Sequence, residues 1–439
     1  MGALEAFVQA FSAVDTRAPA EPASVAQSRR EALEALLRSG LPTRHCEDWK
    51  YTSLRLLDAF GFSTTAPSAP LTADALRQAG ALLAEGSLRL VFVDGRFDAG
   101  LSRLDGLPPG VRLAPWGAPG AQTPARAREA LAPAARGGAF DAVNRMFARD
   151  GMVLELADGA CLYAPVVVIT MQTRGGASHA RHILRLGRGA SARVIEQHIG
   201  VAQAGPYLAT SVTRAELARG ANLQHVRMQD ESDAAAHVSQ LHAAQGEDSA
   251  LDAQALVLGA RLSRQELHVE HEAPGCRTEL RGASVLRAEQ HGDMHVRVEH
   301  RHPRGTSRTH VRGVFDGAAH GVFTGRVNVH PGAQKTDACM VNRNLLLSPR
   351  AEADTRPQLQ IDADDVVCSH GATVGQLEAE ALFYLLSRGI ALQDARAMLV
   401  QAFITAALPD IGWVPLRAHL RARLAARQGL AIEASKGPA

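Results

Sequence analysis

Residues 359–390 read LQIDADDVVCSHGATVGQLEAEALFYLLSRGI, and within this stretch strand periodicity gives way to helical periodicity. Leu359 and Ile361 alternate with polar residues, which is typical of a strand with one buried face. Thr373 and Gln376 match a capping box, so we predict that a helix begins there. The stretch therefore predicts a β domain that is followed directly by a helical tail.

Cys368 and His370 are the candidate ligands at this junction. Residues two apart in an extended strand point to the same side, so the thiol and the imidazole can reach one soft metal ion. Two ligands do not complete a four-coordinate site, so the remaining ligands have to come from elsewhere, including another chain. Asp362, Asp364 and Asp365 are expected to raise the pKa of the thiol and to attract ferrous iron. The alternative is a structural pair, because free cysteine is often simply buried.

Short alternating segments fill the region from about residue 140 to 367, where long helical patterns are missing. Segments of one apolar and one charged face occur at residues 266–270, 276–281, 295–299 and 308–312. A glycine followed by a small or polar residue recurs every 26 to 31 residues, at Gly189, Gly220, Gly246, Gly275, Gly305 and Gly332. This spacing predicts the stacked coils of a β-solenoid, and an aromatic fraction of 4% suits its narrow interior. A β-sandwich or jelly roll is the alternative.

Helical patterns predominate before the β region. Residues 4–11 carry an apolar stripe, residues 28–37 carry a second one, and both predict helices. Residues 64–69 are small and proline-containing, which indicates a linker. Residues 88–97, LRLVFVDGRF, predict a β-hairpin around an Asp-Gly turn. We therefore expect a mostly helical N-terminal region with a small sheet element.

Two further helices are predicted after the β region, at residues 391–408 and 414–427. Met398 and Phe403 are expected on the packing face of the first, together with Leu399 and Ala402. Because a solenoid leaves its last coil unpaired, we expect this tail to cap one end. The predicted domains are 1–138, mostly helical; 139–372, the β-solenoid core; and 373–439, helical.

Composition argues against several classes of protein. The 439 residues have a net charge of only +2, which gives no reason to expect nucleic acid or an anionic membrane as a partner. The five cysteines are too sparse and odd in number for a disulfide framework. The N-terminus shows no signal-peptide pattern, and no apolar run approaches membrane-spanning length. These features predict a reduced, cytoplasmic protein.

Common catalytic motifs are missing from the sequence. It contains no G-K-[ST] phosphate-binding motif, no H-E-x-x-H, no C-x-x-C and no G-x-S-x-G. We therefore expect no nucleotide site and no enzymatic activity. His268 and His271 lie near Cys276, but their opposite strand parity would point them to opposite faces.

Other polar residues of the β region are expected to be structural. Lys335 is the only lysine there, and we expect it to pair with Asp337. Five histidines are predicted on solvated strand faces: His291, His295, His300, His302 and His310.

Four segments resemble the SufB/SufD family of iron–sulfur cluster assembly proteins. They are RHCEDWKYTSL at 44–54, FDAVNRMFARDG at 140–151, AQKTDACMVNRNLLLS at 333–348 and CSHGATVGQLEAEALFYLLSRGI at 368–390. The wording CSHGATVGQL is similar to the SufD branch rather than the SufB branch. The resemblance implies a right-handed parallel β-helix between helical N-terminal and C-terminal domains. It also implies a non-catalytic scaffold subunit of the SUF machinery.

The same resemblance implies partners and a site. The chain would form a complex with a SufB-like β-helix protein and a SufC-like ABC ATPase, which docks on the C-terminal helices. Cys368 and His370 would lie at the interface with the SufB-like chain and share a transient iron–sulfur cluster, or iron, with it. A homodimer of similar folds is a further expectation. Two alternatives remain: an adaptor without metal contact, and a β-helix enzyme acting on carbohydrate.

Overall fold

The computed structural model describes residues 2–15, 21–62, 71–117, 124–201, 203–406 and 413–427, and the structural statements below concern these residues. The linker predicted at residues 64–69 and the last two residues of the helix predicted at 391–408 lie outside them.

Helices occupy the two ends of the chain. The α-helices are α1 Ala3–Asp15, α2 Ala23–Ser39, α3 Ala73–Gln78, α4 Pro124–Ala130, α5 Gly138–Phe147, α6 Ala379–Ser387, α7 Leu392–Thr405 and α8 Val414–Arg427. Two short 3₁₀ helices span Glu47–Trp49 and Arg55–Ala59.

Strands fill the middle of the chain. They are β1 Leu88–Val93, β2 Arg96–Phe97, β3 Val111–Pro115, β4 Met152–Leu156, β5 Val166–Gln172, β6 Gly176–Leu186, β7 Ser191–Gly200, β8 Tyr207–Leu217, β9 Asn222–Asp230, β10 Ala235–Gln245, β11 Ala250–Val257, β12 Leu262–His271, β13 Arg277–Leu286, β14 His291–His300, β15 Thr306–Phe315, β16 His320–Val329, β17 Asp337–Leu346, β18 Glu352–Ile361 and β19 Val367–Gly375.

The strands from β4 to β19 form a parallel β-solenoid of about eight turns. Within the solenoid, the odd-numbered strands from β5 to β19 belong to a ten-stranded sheet that β1 and β2 complete, and the even-numbered strands from β4 to β18 belong to a nine-stranded sheet that β3 completes. Each residue therefore pairs with one a full turn later: Leu262 pairs with His291, and His291 with His320. Parallel pairing throughout these turns confirms the predicted solenoid and excludes the antiparallel sandwich.

Antiparallel strands occur only at the N-terminal edge of the described sheets. β1 and β2 form the predicted hairpin, in which Asp94 and Gly95 have φ values of 47° and 78°. Positive φ at both turn residues is what a tight two-residue hairpin requires. β3 pairs antiparallel with β4 on the other sheet.

Apolar side chains fill the space between the two sheets and also cover parts of their outer faces. Leu154, Val194 and Leu223 belong to the cluster between the sheets. Helices α1, α2 and α5 pack on the outer face of the nine-stranded sheet, where Phe7 is fully buried. Helices α3, α7 and α8 pack on the outer face of the ten-stranded sheet, partly through Leu420. The tail therefore flanks the solenoid, and the prediction that it caps one end is wrong.

Helix α5 corrects the prediction that helical patterns vanish from residue 140. Phe140 stacks on Trp49, with ring centroids 5.4 Å apart, and every residue from Phe140 to Phe147 is buried. Asp141, Asn144 and Arg145 give the helix a polar side, but these residues are buried as well, and the segment is short enough for its pattern to be overlooked.

The predicted start of the C-terminal helix is also wrong. Thr373 lies in β19, where it pairs with Arg343, and α6 begins only at Ala379. The residue before α6, Glu378, makes no side-chain cap. Pairing with β17 therefore overrides the local capping-box pattern at Thr373 and Gln376.

Helix α7 exists as predicted, and its packing face was predicted in part. Phe403 packs against the ten-stranded sheet as predicted, whereas Met398 is 49% exposed. The buried residues of the helix are Ala395, Val400 and Ile404. None of the described helices is both long and apolar enough to cross a membrane.

Candidate functional site

The C-terminal edges of the two sheets are open. β18 pairs only with β16, and β19 pairs only with β17. Both strands are described in full, and neither contains a fully buried side chain. Edge strands present unpaired backbone N–H and C=O groups, which favour pairing with another chain. The open edge, defined here as β18 and β19, is therefore a surface to which a further strand can be added.

The structure places Cys368 and His370 on β19 at this open edge. Cys368 pairs with Ala338 and His370 with Met340, and both of those neighbours belong to the cluster between the sheets. Because parity is kept across paired strands, the thiol and the imidazole lie on the inner side of the sheet. Cys368 is half-buried against the core, and His370 is exposed. The two donors lie two residues apart on β19, which places both side chains on the same side of the strand, as predicted.

The electrostatics of Cys368 differ in detail from the sequence prediction. Burial raises the pKa of the thiol, the charge of Asp337 raises it further, and a hydrogen bond with the backbone of Ala338 opposes both effects. The carboxylate responsible lies on the neighbouring strand, not in the aspartate-rich turn before β19. Asp337 in turn pairs with Arg308, so the predicted pair with Lys335 is wrong. The backbone N–H of Lys335 donates to the backbone carbonyl oxygen of Asp365 at 2.6 Å.

Cys368 and His370 do not form a complete metal site by themselves. Across the described residues, no group of three or more histidine, cysteine, aspartate or glutamate side chains is arranged to hold a metal ion. His271 faces the interior, His268 stacks on His242 on the outer face, and Cys276 contacts backbone oxygens. The predicted opposition of His268 and His271 is confirmed.

Two of the five histidines predicted on solvated faces are buried, and His291 is half-buried. His295 and His300 are 3% and 0% exposed, while His302 and His310 are exposed as predicted. His295 belongs to an outer face that the N-terminal region covers, and its pKa is lowered to about 4, chiefly by burial. Alternation shows correctly that His295 faces outward, but it does not show that another part of the chain covers this face. His300 shares the parity of Val298 and faces the interior, so its prediction is wrong.

Sequence reasoning missed a polar cluster inside the solenoid. Glu196 accepts a hydrogen bond from Thr213 at 2.6 Å and lies 2.8 Å from the ring of His225. His237 lies 2.6 Å from Glu231 and 3.0 Å from Arg227. The available signal was parity, because Glu196 shares the side of the apolar Val194 on β7.

Comparison with known proteins identifies the class to which this fold and open edge belong. Residues 168–403 match the SufBD core domain of SUF system FeS cluster assembly. Residues 4–168 match the SufBD protein N-terminal region. The chain therefore belongs to the SufBD family.

Individual relatives indicate the branch. The chain is 32% identical over 407 residues to the iron–sulfur cluster assembly protein SufD of Escherichia coli, which covers 91% of this chain and 92% of that protein. It is 30% identical over 411 residues to an iron–sulfur cluster assembly SufBD family protein of Synechocystis, at 91% and 90% coverage. A third relative, the chloroplastic protein ABCI7 of Arabidopsis thaliana, is 34% identical over 61% of this chain and 58% of its own length. The chain is thus a SufD-type member of the family.

Proposed function

We propose that this chain is a non-catalytic scaffold subunit of the SUF machinery that joins a SufB-like solenoid through its open edge. The observation that carries the proposal is the position of Cys368 and His370 on an uncovered edge strand. A second solenoid adding a strand to β19 would bring its own side chains next to these two donors. The composite site would lie between chains, where neither protein alone holds a full set of ligands.

The chemistry of the two donors suits iron or a nascent iron–sulfur cluster as cargo. A thiol with a raised pKa remains protonated until a metal displaces the proton, so uptake would be coupled to proton release. The imidazole of His370 is exposed, so it is accessible before a partner arrives. We therefore propose that His370 contacts the cargo first and that Cys368 then holds it.

The C-terminal helices support docking of a SufC-like ATPase. Helix α6 is mostly apolar, yet none of its residues is buried. Phe383 and Tyr384 are 71% and 57% exposed. Large exposed apolar side chains of this kind mark protein interfaces. Since the sequence carries no phosphate-binding motif, the energy of nucleotide hydrolysis would come from that partner.

Anaerobic reconstitution with iron and sulfide tests the composite site. The chain with SufB-like and SufC-like partners should develop cluster absorbance, and the isolated chain should show little. His370→Ala should reduce the cluster absorbance of the complex. Size-exclusion chromatography should show that the three proteins remain associated. His302→Ala, a change of the same type at another exposed position, is the matched control and should behave as the unmodified protein.

The outcome also separates the adaptor alternative. Full cluster assembly in a complex that contains both Cys368→Ala and His370→Ala would mean that this chain supports its partner without touching the cargo. The five cysteines, all free in this structure, fit work in the reducing cytoplasm, which is part of the proposal. In the absence of a SufB-like chain, the same open edge would support a homodimer.

A further inference from the structure

A cationic groove lies on the outer face of the ten-stranded sheet, beside the end of α7. Its volume is about 420 Å³. The described residues that line it include three arginines and one histidine and no carboxylate: Arg281, His310, Val311, Arg312, Val341, Arg343 and Ala406. Neither the assembly chemistry nor the open edge uses this groove.

Strand register concentrates the positive charge. Arg312 on β15 pairs directly with Arg343 on β17, so the two residues are neighbours on the same face. Arg281 and His310 occupy paired positions two residues earlier in the register. Adjacent strands lie about 4.8 Å apart, and like charges at directly opposed positions destabilise a sheet. An arrangement of this kind is stabilised when an anion binds between the charges.

Arg312 is held in place without being neutralised. Its guanidinium donates to the backbone oxygen of Phe403 at 2.8 Å and lies 4.9 Å from the centroid of that ring. Burial and the charge of Arg343 lower the pKa of Arg312. Among the described residues it has no carboxylate partner within ion-pair distance. Its donors are therefore pre-positioned and its charge is uncompensated.

Arg343 is exposed at the mouth of the groove. Within the described ranges its side chain makes no hydrogen bond and no ion pair. Arg281 differs, because it bonds Asp252 at 3.2 Å and Glu279 at 3.0 Å. The uncompensated charge of the groove thus resides on Arg312 and Arg343, with His310 next to them.

We propose that this groove binds a small phosphate-bearing anion between Arg312 and Arg343. Planar guanidinium groups offer paired N–H donors that match the oxygens of a phosphoryl group. The volume is that of a small-molecule site, and Val341 provides an apolar patch beside the charges. The proposal is independent of cluster assembly, since it requires neither Cys368 nor His370.

Calorimetric titration of the full chain with inorganic pyrophosphate and with ADP tests the proposal. Pyrophosphate should bind, and Arg343→Gln should weaken its binding about tenfold by removing one charged donor pair. Arg350→Gln, at another exposed arginine, should bind as the unmodified chain does. Equal affinities for pyrophosphate and ADP would mean that the groove recognises the phosphates alone. Tighter binding of ADP would mean that the groove also contacts the nucleoside. Equal affinity of the unmodified and Arg343→Gln chains, or binding of polyglutamate but not of pyrophosphate, would overturn it.

A second pair of variants tests the electrostatic premise. Val341→Glu places a carboxylate in the groove, so it should abolish pyrophosphate binding and melt at a higher temperature than the neutral Val341→Gln. The comparison cancels the loss of the valine side chain, which both variants share. A lower melting temperature for the glutamate variant would show that the groove has no uncompensated positive charge to stabilise.

Discussion

Strands β8 and β18 belong to the same sheet and are separated by four strands, and their burial is opposite. Nine of the eleven residues of β8 are buried, and none of the ten residues of β18 is. β8 lies between β6 and β10, whereas β18 has only β16 beside it. The next turn covers the edge of β8, and the N-terminal helices cover its outer face through residues such as Leu208. β18 has neither a following turn nor a buried side chain.

The largest expected loss of stability follows from replacing Arg264, which lies in the enclosed region, defined here as the turns of the solenoid that the N-terminal helices cover. This buried guanidinium bonds Glu266 at 2.7 Å, pairs with Asp293 and lies 3.8 Å from the ring of Trp49. Arg264→Ala would leave two buried carboxylates without their cation, at a cost of about 3–5 kcal/mol. Urea unfolding measures the loss.

The control for Arg264→Ala is an exposed ion pair. Arg219 lies 3.3 Å from Glu247, and its side chain is largely exposed. Arg219→Ala should cost less than about 1 kcal/mol, because water screens such pairs. Similar losses for the two variants would mean that the enclosed region is not the stabilising part of the chain.

Truncating apolar side chains sharpens the contrast between the interior and the open edge. Leu154 is fully buried between the sheets, so Leu154→Ala should cost about 2–5 kcal/mol. Ile361, at the end of β18, is 41% exposed, so Ile361→Ala should cost less than about 1 kcal/mol. The two unfolding curves, compared at the same pH, test the difference, and a large loss at Ile361 would contradict an open edge.

Acid should destabilise the enclosed region specifically. Burial lowers the pKa values of His179, His198 and His242 to about 3, whereas an unfolded histidine titrates near 6.5. Between these pH values the unfolded chain binds protons at these histidines and the folded chain does not. The free energy of unfolding therefore falls as pH drops below about 6.5. Each such histidine contributes a slope of about 1.4 kcal/mol per pH unit. Unfolding midpoints at pH 7.5 and 5.0 should therefore differ.

Replacement of one buried histidine checks the origin of that slope. His198→Gln should flatten the pH dependence below 6.5, because the substituted side chain does not titrate. His302→Gln, at an exposed position, should leave the slope unchanged. Parallel slopes for the two variants would assign the acid sensitivity to other groups.

The smallest expected effect on stability is at the open edge itself. Val367 on β19 is 71% exposed, so Val367→Lys should change the free energy of unfolding by no more than about 0.5 kcal/mol. A lysine on an edge strand disfavours strand addition, so the same variant should lose binding to a SufB-like chain. Light scattering of the mixed proteins measures the loss. A Val367→Lys variant that is clearly destabilised but still binds the SufB-like chain would contradict this prediction.

Much of the solenoid was predictable because its signals are local and repeated. Alternation along β12 to β15 and the spacing from Gly189 to Gly332 reported real strands and turns. The hairpin at Asp94 and Gly95 was predictable because few residue pairs accept positive φ. The failed predictions depended on distant packing: the polar residues of α5 are buried against other parts of the chain, and Thr373 pairs with β17 as part of a strand.

The candidate site was predictable only in part. The common orientation of Cys368 and His370 follows from strand periodicity, and the structure places both on β19. The thiol's acidic neighbour, Asp337, was not predictable, because it is 31 positions away in sequence and adjacent only through strand pairing. The interior polar cluster around Glu196 was missed because apolar interiors are the usual case.

The two ends of the solenoid differ in a way that limits how the molecule grows. At one end the short antiparallel strands β2 and β3 terminate the sheets, and at the other β18 and β19 remain available. In the language of polymer chemistry each chain would be a monofunctional monomer, with one edge available for coupling. Edge-to-edge pairing of the kind proposed above would therefore stop at a pair and would not continue into fibres.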